Sequence, residues 1–136
     1  MIQLNPHMEI GNLLRQARTI AIVGLSPKEN RPSNMVGRYL LGAGYSLFPV
    51  NPGHTEILGL KCYPDLVSIP EHIDIVDIFR RSEDVYPIVE EAIKIGAGAI
   101  WMQLGIVNRE AAAYARQHGL LTVMDRCVKV DHSTLL

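Results

Sequence analysis

The sequence predicts an α/β domain in which helices cover both faces of a mainly parallel sheet of about five strands. Short apolar segments rich in β-branched residues alternate along the chain with amphipathic segments of helical periodicity, and glycines or helix-capping residues separate most of them. Strands that alternate with helices of about 10–15 residues are typical of right-handed βαβ units, which build parallel sheets. Such sheets bind ligands at the carboxyl ends of their strands, where the strand order reverses.

The length and composition indicate one globular domain. The 136 residues, 48% of them hydrophobic, can enclose a sizeable core, so we expect a single domain over 1–136. A net charge of −1 lacks the basic excess that is typical of nucleic-acid binders. No apolar run approaches the roughly 20 residues of a membrane span, and the first residues lack the pattern of a signal peptide. With two cysteines far apart in sequence, these features favour a cytoplasmic protein with free thiols.

The chain begins with a predicted helix and a buried strand. Asn5 as N-cap and Pro6 as first helical residue predict the start of an amphipathic helix over about 6–18. The run Thr19–Val23 is apolar and rich in β-branched residues, which suits a strand buried on both faces. Gly24 then breaks the pattern with the residue type that lets a backbone turn sharply or approach a ligand closely.

A second helix and a second strand follow that loop. Ser33 or Asn34 would cap a helix over about 34–43. The next strand, over 45–50, contains Pro49, which argues against a central position in the sheet because proline has no N–H to donate to a neighbouring strand.

The second half of the chain predicts three more strands separated by two helices. Before them, the segment 54–69 is the least clear region and could hold a short strand or turn and one helical turn. The predicted elements are then a strand over 73–79, a helix that starts at Ser82 or Asp84, a strand over 97–102, a helix capped by Asn108 and a strand over 120–124. The tail from Asp125 onward is polar and less defined.

The strand, glycine turn and helix start around 24–33 together predict a binding site for a phosphate. Unpaired N–H groups and the positive end of the helix dipole would point at the anion. The loops after the predicted strands carry the cations Lys28, Arg31, Arg80 and Arg81, and guanidinium groups hold phosphates with two parallel hydrogen bonds. Solvated loop charges are the alternative explanation. We expect a phosphorylated, nucleotide-like cofactor.

The loop sequence disfavours the common nucleotide motifs. Ser26 and Glu29 stand where a G-x-G-x-x-G fingerprint requires glycine, and Asn51 follows the second strand where an acidic residue usually holds the ribose. NAD is therefore disfavoured, whereas the arginines leave an NADP-linked oxidoreductase open. The chain has no Walker A motif, no metal-ligand spacing and no nucleophile elbow, so we expect neither a metal site nor covalent catalysis.

Several short motifs, taken together, resemble a known family. They are Gly24-Leu25-Ser26 with Arg31-Pro32-Ser33, then Pro49-Val50-Asn51-Pro52, Asp74-Ile75-Val76-Asp77-Ile78-Phe79-Arg80, Trp101-Met102-Gln103-Leu104-Gly105 and Asp125-Arg126-Cys127. In this order they resemble the small CoA-binding domain proteins of bacteria and archaea, which are similar to the N-terminal domain of the succinyl-CoA synthetase α subunit. The resemblance runs from about Leu13 to His132. It implies a Rossmann-like, doubly wound sheet and coenzyme A as the ligand.

The resemblance also implies which residues bind the ligand. It places the CoA phosphates near Gly24, Ser26, Arg31 and Ser33, and Pro32 belongs to the same motif. Asn51, Pro52 and Gly53 would border the ligand from the second loop. The adenosine end would lie near Phe79, Arg80 and Ser82, and the pantetheine side near Gln103 and Gly105. We add Lys28 on its charge and position alone.

The expected function is binding of CoA or an acyl-CoA by a stand-alone binding or regulatory module. The synthetase needs a phosphorylated histidine in a second domain, and this chain ends before such a domain, so we expect no complete ligase chemistry. A non-catalytic subunit of a larger acyl-CoA enzyme and the NADP-linked oxidoreductase are the alternatives, and a homodimer is open. We expect no nucleic-acid or membrane partner.

Cys127 could form a mixed disulfide with CoA if it faces the pocket, or it is a structural thiol.

Overall fold

A computed structural model describes residues 6–136 as a five-stranded parallel sheet between two layers of helices. In chain order the elements are α1 (Pro6–Gln16), β1 (Thr19–Val23), α2 (Pro32–Gly42), β2 (Ser46–Val50), β3 (Glu56–Ile57), β4 (Leu60–Lys61), β5 (Ile75–Ile78), a 3-10 turn (Ser82–Asp84), α3 (Val85–Lys94), β6 (Ala99–Met102), α4 (Arg109–Gln117), β7 (Leu121–Val123) and α5 (Val128–Leu135). Strands β3 and β4 form a separate antiparallel hairpin. No helix in this described range has the length and apolar character to cross a membrane.

The strand order in the sheet is β2-β1-β5-β6-β7, and each neighbouring pair is parallel. The chain moves outward from β1 to β2, then returns past β1 to β5 and continues in the opposite direction. The order therefore reverses between β1 and β5, and the loops leaving these strands meet at the carboxyl edge. This arrangement confirms the predicted Rossmann-like α/β fold. It also places β2 at an edge, as Pro49 predicted.

Each face of the sheet carries its own hydrophobic core. On β5, Val76 and Ile78 pack with residues of α3 and α4, whereas Ile75 packs with residues of α1, α2 and α5. This alternation follows the two-residue period of a strand. Because both faces are covered, the strands have the near-continuous apolar sequences that suggested buried strands.

The two aspartates near β5 lie in opposite environments. Asp77 lies between Ile22 and Trp101 of the neighbouring strands, is fully buried, and has no hydrogen-bond partner for either carboxylate oxygen within the described chain. Burial raises the pKa of Asp77 well above its ordinary value. For Asp74 burial also raises the pKa, but hydrogen bonds from the Arg18 and Thr19 amides, at 2.7 and 3.2 Å, outweigh it and leave the pKa lowered.

Helix α2 differs from its prediction at the start. It begins at Pro32, with Arg31 as N-cap, so neither Ser33 nor Asn34 caps it. Proline at this position has the helical φ already fixed and lacks an N–H that would need an acceptor. The predicted cap Asn108 is confirmed on α4, where its side chain accepts a hydrogen bond from the Ala111 amide at 2.9 Å. Asn5, predicted to cap α1, lies outside the described residues.

The polar tail, which the sequence left less defined, contains a helix, α5, over Val128–Leu135. One of its buried positions is Asp131, whose carboxylate pairs with Arg126 at 2.6 Å. A charged residue on the inner face hides the apolar periodicity by which a helix is recognised. The helix before β6 starts at Val85, with Asp84 as N-cap after the short 3-10 turn.

Candidate functional site

The loops after β1, β2 and β5 enclose a cleft of about 460 Å³ at the carboxyl edge of the sheet. We call it the rim cleft. Its lining residues are Gly24, Ser26, Pro27, Lys28, Arg31, Pro32, Ser33, Asn51, His54, Phe79 and Arg80. Nine of these are among the residues expected from the sequence to bind the ligand. The reversal of strand order brings them together, because it places the ends of β1 and β5 side by side.

Gly24 permits the close approach of two loops at the floor of the rim cleft. Its φ is +91°, a value that residues with a side chain rarely adopt. A Cβ atom at this position would overlap the carbonyl oxygen of Phe79 and would lie 3.3 Å from Arg80 Nε. Gly24 also donates its N–H to the Val50 carbonyl at 2.9 Å. Glycine is therefore required where the ends of β1, β2 and β5 converge.

The loop from β1 to α2 is closed by hydrogen bonds between its own ends. The Ser26 amide donates to Ser33 Oγ at 2.9 Å, and Asn34 Nδ2 donates to the Ser26 carbonyl at 2.9 Å. Ser26 Oγ in turn accepts from the Lys28 amide at 3.1 Å. The side chains predicted as caps thus join the start of the loop to the first turn of α2.

The start of α2 faces the rim cleft without a side-chain cap. Its N-cap, Arg31, has extended φ and ψ of −85° and 142° and makes no capping hydrogen bond. Pro32 has no N–H, and the Asn34 amide donates to the Arg31 carbonyl at 3.1 Å, so this helix start offers an anion chiefly the positive end of its dipole. Since Arg31, Pro32 and Ser33 all line the cleft, an anion bound there would lie at this helix end.

Unpaired cations add to this positive potential. Lys28, Arg31 and Arg80 line the cleft and take part in none of the ion pairs found between described residues. The cleft lining contains no aspartate or glutamate. Arg81 differs, because its guanidinium lies 3.0 Å from Asp84 and outside the rim cleft. The side chains that line the cleft therefore give it a positive potential, which suits an anionic ligand.

Asn51 connects the second loop to the first. Its Nδ2 donates to the Leu25 carbonyl at 3.1 Å, and its Oδ1 accepts from the Gly53 amide at 3.1 Å. Pro52 lies beside the rim cleft in a smaller cavity of about 150 Å³, which shares Arg80 with it. Gly53 lines neither cavity.

Three other expected site residues lie outside the rim cleft and connect neighbouring loops. Ser82 Oγ accepts from the Val107 amide at 3.0 Å. Gln103 is 4% exposed, and its Oε1 accepts from the Val128 amide at 3.1 Å, at the start of α5. The Gly105 amide donates to Asp125 Oδ1 at 2.6 Å.

Sequence reasoning missed two residues of the cleft, Pro27 and His54. Both lie in loops that the strand pattern had identified, but the histidines were considered only as metal ligands. Between residues 6 and 136, no group of three or more histidine, cysteine, aspartate or glutamate side chains could hold a metal ion. Cys127 is the half-buried N-cap of α5 and does not line the cleft.

Comparison with known proteins identifies relatives over nearly the whole chain. A family model described as a CoA binding domain matches residues 18–133. The uncharacterized protein YneT of Bacillus subtilis is 42% identical over 125 residues, which cover 92% of this chain and 93% of that protein. A hypothetical protein from Pyrococcus horikoshii has a solved structure that matches with a TM-score of 0.93 and 41% identity, covering 99% of each chain.

A longer relative is an enzyme. Acetate–CoA ligase [ADP-forming] I of Archaeoglobus fulgidus is 31% identical over 123 residues. The match covers 82% of this chain but only 18% of the ligase.

Proposed function

Because the chain belongs to the family of CoA-binding domains, we propose that it binds coenzyme A or an acyl-CoA in the rim cleft, as a stand-alone binding or regulatory module. The chain spans 18% of the length of the acetate–CoA ligase that it matches, so the proposal includes no ligase step. Of the relatives described above, the one whose name states an activity is a CoA ligase, which favours CoA over NADP.

The observation that supports this proposal is the uncapped start of α2 beside three unpaired cations in a cleft without carboxylates. CoA carries a diphosphate and a separate 3′-phosphate. The start of α2 suits the diphosphate, because the positive end of the helix dipole and the Lys28 ammonium stabilise an anion bound there. Arg31 and Arg80, on opposite loops, are the candidates for the 3′-phosphate, since guanidinium groups bind phosphates with two hydrogen bonds.

Isothermal titration calorimetry with CoA, dephospho-CoA, ATP and NADPH tests this proposal. We expect the wild type to bind CoA most tightly. At whichever arginine contacts the 3′-phosphate, alanine should weaken CoA binding more than dephospho-CoA binding. Loss of a charged hydrogen bond costs about 1.5–3 kcal/mol, or roughly 10- to 150-fold in Kd.

Arg81→Ala is the matched control for Arg80→Ala. The two arginines are adjacent, but Arg81 is held by Asp84 and lies outside the cleft, so its loss should leave both affinities unchanged. NADPH binding without CoA binding would refute the proposal. Equal CoA affinity in Arg31→Ala, Arg80→Ala and wild type would show that these arginines are only solvated loop charges.

The proposal also includes a cytoplasmic location, which is consistent with two free cysteines.

Since the domain occurs within a longer ligase in one relative, docking on a larger acyl-CoA enzyme is a second candidate role. Affinity purification of the tagged chain from its host tests it: recovery of a CoA-dependent enzyme in a fixed ratio supports docking, and recovery of the chain alone refutes it.

A further inference from the structure

Two side chains of α2 that do not line the rim cleft form hydrogen bonds to the loop between β1 and α2. Arg38, on α2, donates from Nε to Asn34 Oδ1 at 2.9 Å and from Nη2 to the Glu29 carbonyl at 2.9 Å. Asn34, one turn earlier on the same helix, donates from Nδ2 to the Ser26 carbonyl at 2.9 Å. Neither Arg38 nor Asn34 lines the cleft. The two side chains thus form one chain of hydrogen bonds that holds the loop at two points.

The groups held at these two points are carbonyl oxygens. A loop that binds an anion must present N–H groups and cations, and a carbonyl oxygen aimed into the site would repel the ligand. Ser26 and Glu29 bracket Lys28, a cleft-lining cation. Because α2 donors occupy the carbonyls of Ser26 and Glu29, these oxygens are directed toward α2.

Burial makes Asn34 the rigid part of this arrangement. Asn34 is 1% exposed, whereas Arg38 is exposed and reaches across the surface of the loop. The Asn34 amide can serve both neighbours at once, because its oxygen accepts from Arg38 while its nitrogen donates to Ser26. Arg38 therefore fixes the orientation of the Asn34 amide as well as the position of Glu29.

We propose that Arg38 and Asn34 are positioning residues that keep the loop between β1 and α2 in its anion-binding form before any ligand arrives. This inference rests on the proposed function, because it concerns the same cleft. Neither residue is expected to contact the ligand. Their contribution is to remove the need to reorder the loop on binding, which would otherwise reduce the affinity.

The first test uses the unliganded protein and does not depend on CoA. The Ser26 and Arg31 amides donate to Ser33 Oγ and to the Lys28 carbonyl, so their hydrogen exchange, measured by NMR, reports on loop order. We expect Arg38→Met, which keeps the aliphatic stem, to accelerate their exchange by roughly threefold to tenfold, the range that one net hydrogen bond gives. Unchanged exchange would overturn the inference whether or not the protein binds CoA.

The second test measures CoA affinity as a function of salt in the same variant. We expect Arg38→Met to weaken CoA binding by about threefold to tenfold, with Arg38→Lys intermediate because a single ammonium group cannot hold both acceptors in the guanidinium geometry. The weakening should persist at about 1 M salt, where the Debye length is about 3 Å and the lost charge no longer attracts the ligand from a distance. A weakening that disappears at high salt would show that Arg38 acts only through its charge, and an unchanged affinity would show that the loop needs no such support; either result overturns the inference.

Arg15→Met is the matched control. Arg15 is also an exposed helical arginine, and its Nη1 donates to Asn12 Oδ1 on α1 at 2.9 Å, away from the cleft. Its loss should change neither loop exchange nor CoA affinity. If the wild type itself binds no CoA, the proposed function fails, whereas the exchange experiment still decides whether Arg38 and Asn34 order the loop.

Discussion

Substituting Gly24 by alanine should destabilise the protein through two separable effects. The first is backbone strain, because φ at Gly24 is +91° and a left-handed conformation costs a residue with a Cβ about 1–2 kcal/mol. The second is overlap of the new methyl group with the Phe79 carbonyl oxygen, an overpacking that costs about 1–3 kcal/mol more.

Gly44→Ala isolates the first effect. Gly44 has a φ of +99°, almost the same as that of Gly24, but a Cβ there would meet no atom within 4 Å. Both substitutions restrict the unfolded chain equally, so this contribution cancels between them. The difference in stability between the two variants therefore measures the contact of Gly24 with the β5 loop.

Thermal unfolding followed by circular dichroism provides the measurement. An unfolding entropy of about 2.1 cal/mol/K per residue, over 136 residues, makes 1 kcal/mol equivalent to roughly 3.5 °C in Tm. We expect Gly44→Ala to lower Tm by about 3–7 °C and Gly24→Ala to lower it by about 3–10 °C more. CoA binding should be lost in Gly24→Ala alone. Equal losses of Tm would refute the reasoning, because they would show that the loops do not require this close approach.

The remaining predictions concern titration, capping and the thiol. Asp77→Asn should stabilise the protein at neutral pH. Because the pKa of Asp77 is raised in the folded state, the wild-type protein loses stability as the pH rises from the pKa of the unfolded state through that of the folded state. Asp74→Asn should destabilise it at neutral pH, because a lowered pKa gives stability that is lost only as the pH falls through the folded pKa. Asn108→Ala should cost about 1 kcal/mol by removing the α4 cap. Under mild oxidation with CoA, nonreducing mass spectrometry should find no adduct on Cys127, which lies outside the cleft.

Urea denaturation at pH 3, pH 5 and pH 8 checks the two aspartate variants. The stabilisation by Asp77→Asn should grow from pH 5 to pH 8, because its folded-state pKa lies above the unfolded value. The destabilisation by Asp74→Asn should be the same at pH 5 and pH 8 and smaller at pH 3, because its folded-state pKa lies below the unfolded value. A parallel pH dependence of Asp77→Asn and wild type would show that the buried carboxyl does not titrate as described. For Asn108, Asn108→Asp is the control, because aspartate also caps helices and should retain stability. A CoA adduct that disappears in Cys127→Ser would contradict the prediction for the thiol.

The strands and their connections could be predicted because their signals are local. Thr19–Val23 was predicted with the bounds that the structure has, since β-branched residues buried on both faces end abruptly at Gly24. Asn108 was recognised as a cap for the same reason: its side chain acts within one turn of its own helix. Helix α5 escaped prediction, because Asp131 occupies a buried position by pairing with Arg126, a contact that periodicity does not reveal.

For the candidate site, too, the sequence predicted some features and not others. The sequence indicated the loops after β1, β2 and β5 and their cations, because parallel strands place such loops on one edge. It did not indicate that Ser33 and Asn34 would leave the start of α2 uncapped and close the loop through Ser26 instead. It also gave no sign that Gln103 would be buried at the start of α5.

By itself, the sequence determined the succession along the chain of α1 to α4 and the five strands of the parallel sheet, and the chemical character of the loops, since each depends on residues a few positions apart. Only the tertiary structure decided which loops meet, which cations remain unpaired and which polar side chains are used to hold the fold. The physical reason is that hydrogen bonds and ion pairs form between atoms brought within about 3 Å by strands that are distant in sequence. Asp77 shows this most clearly, because only the pairing of β5 with β1 and β6 encloses its carboxyl completely.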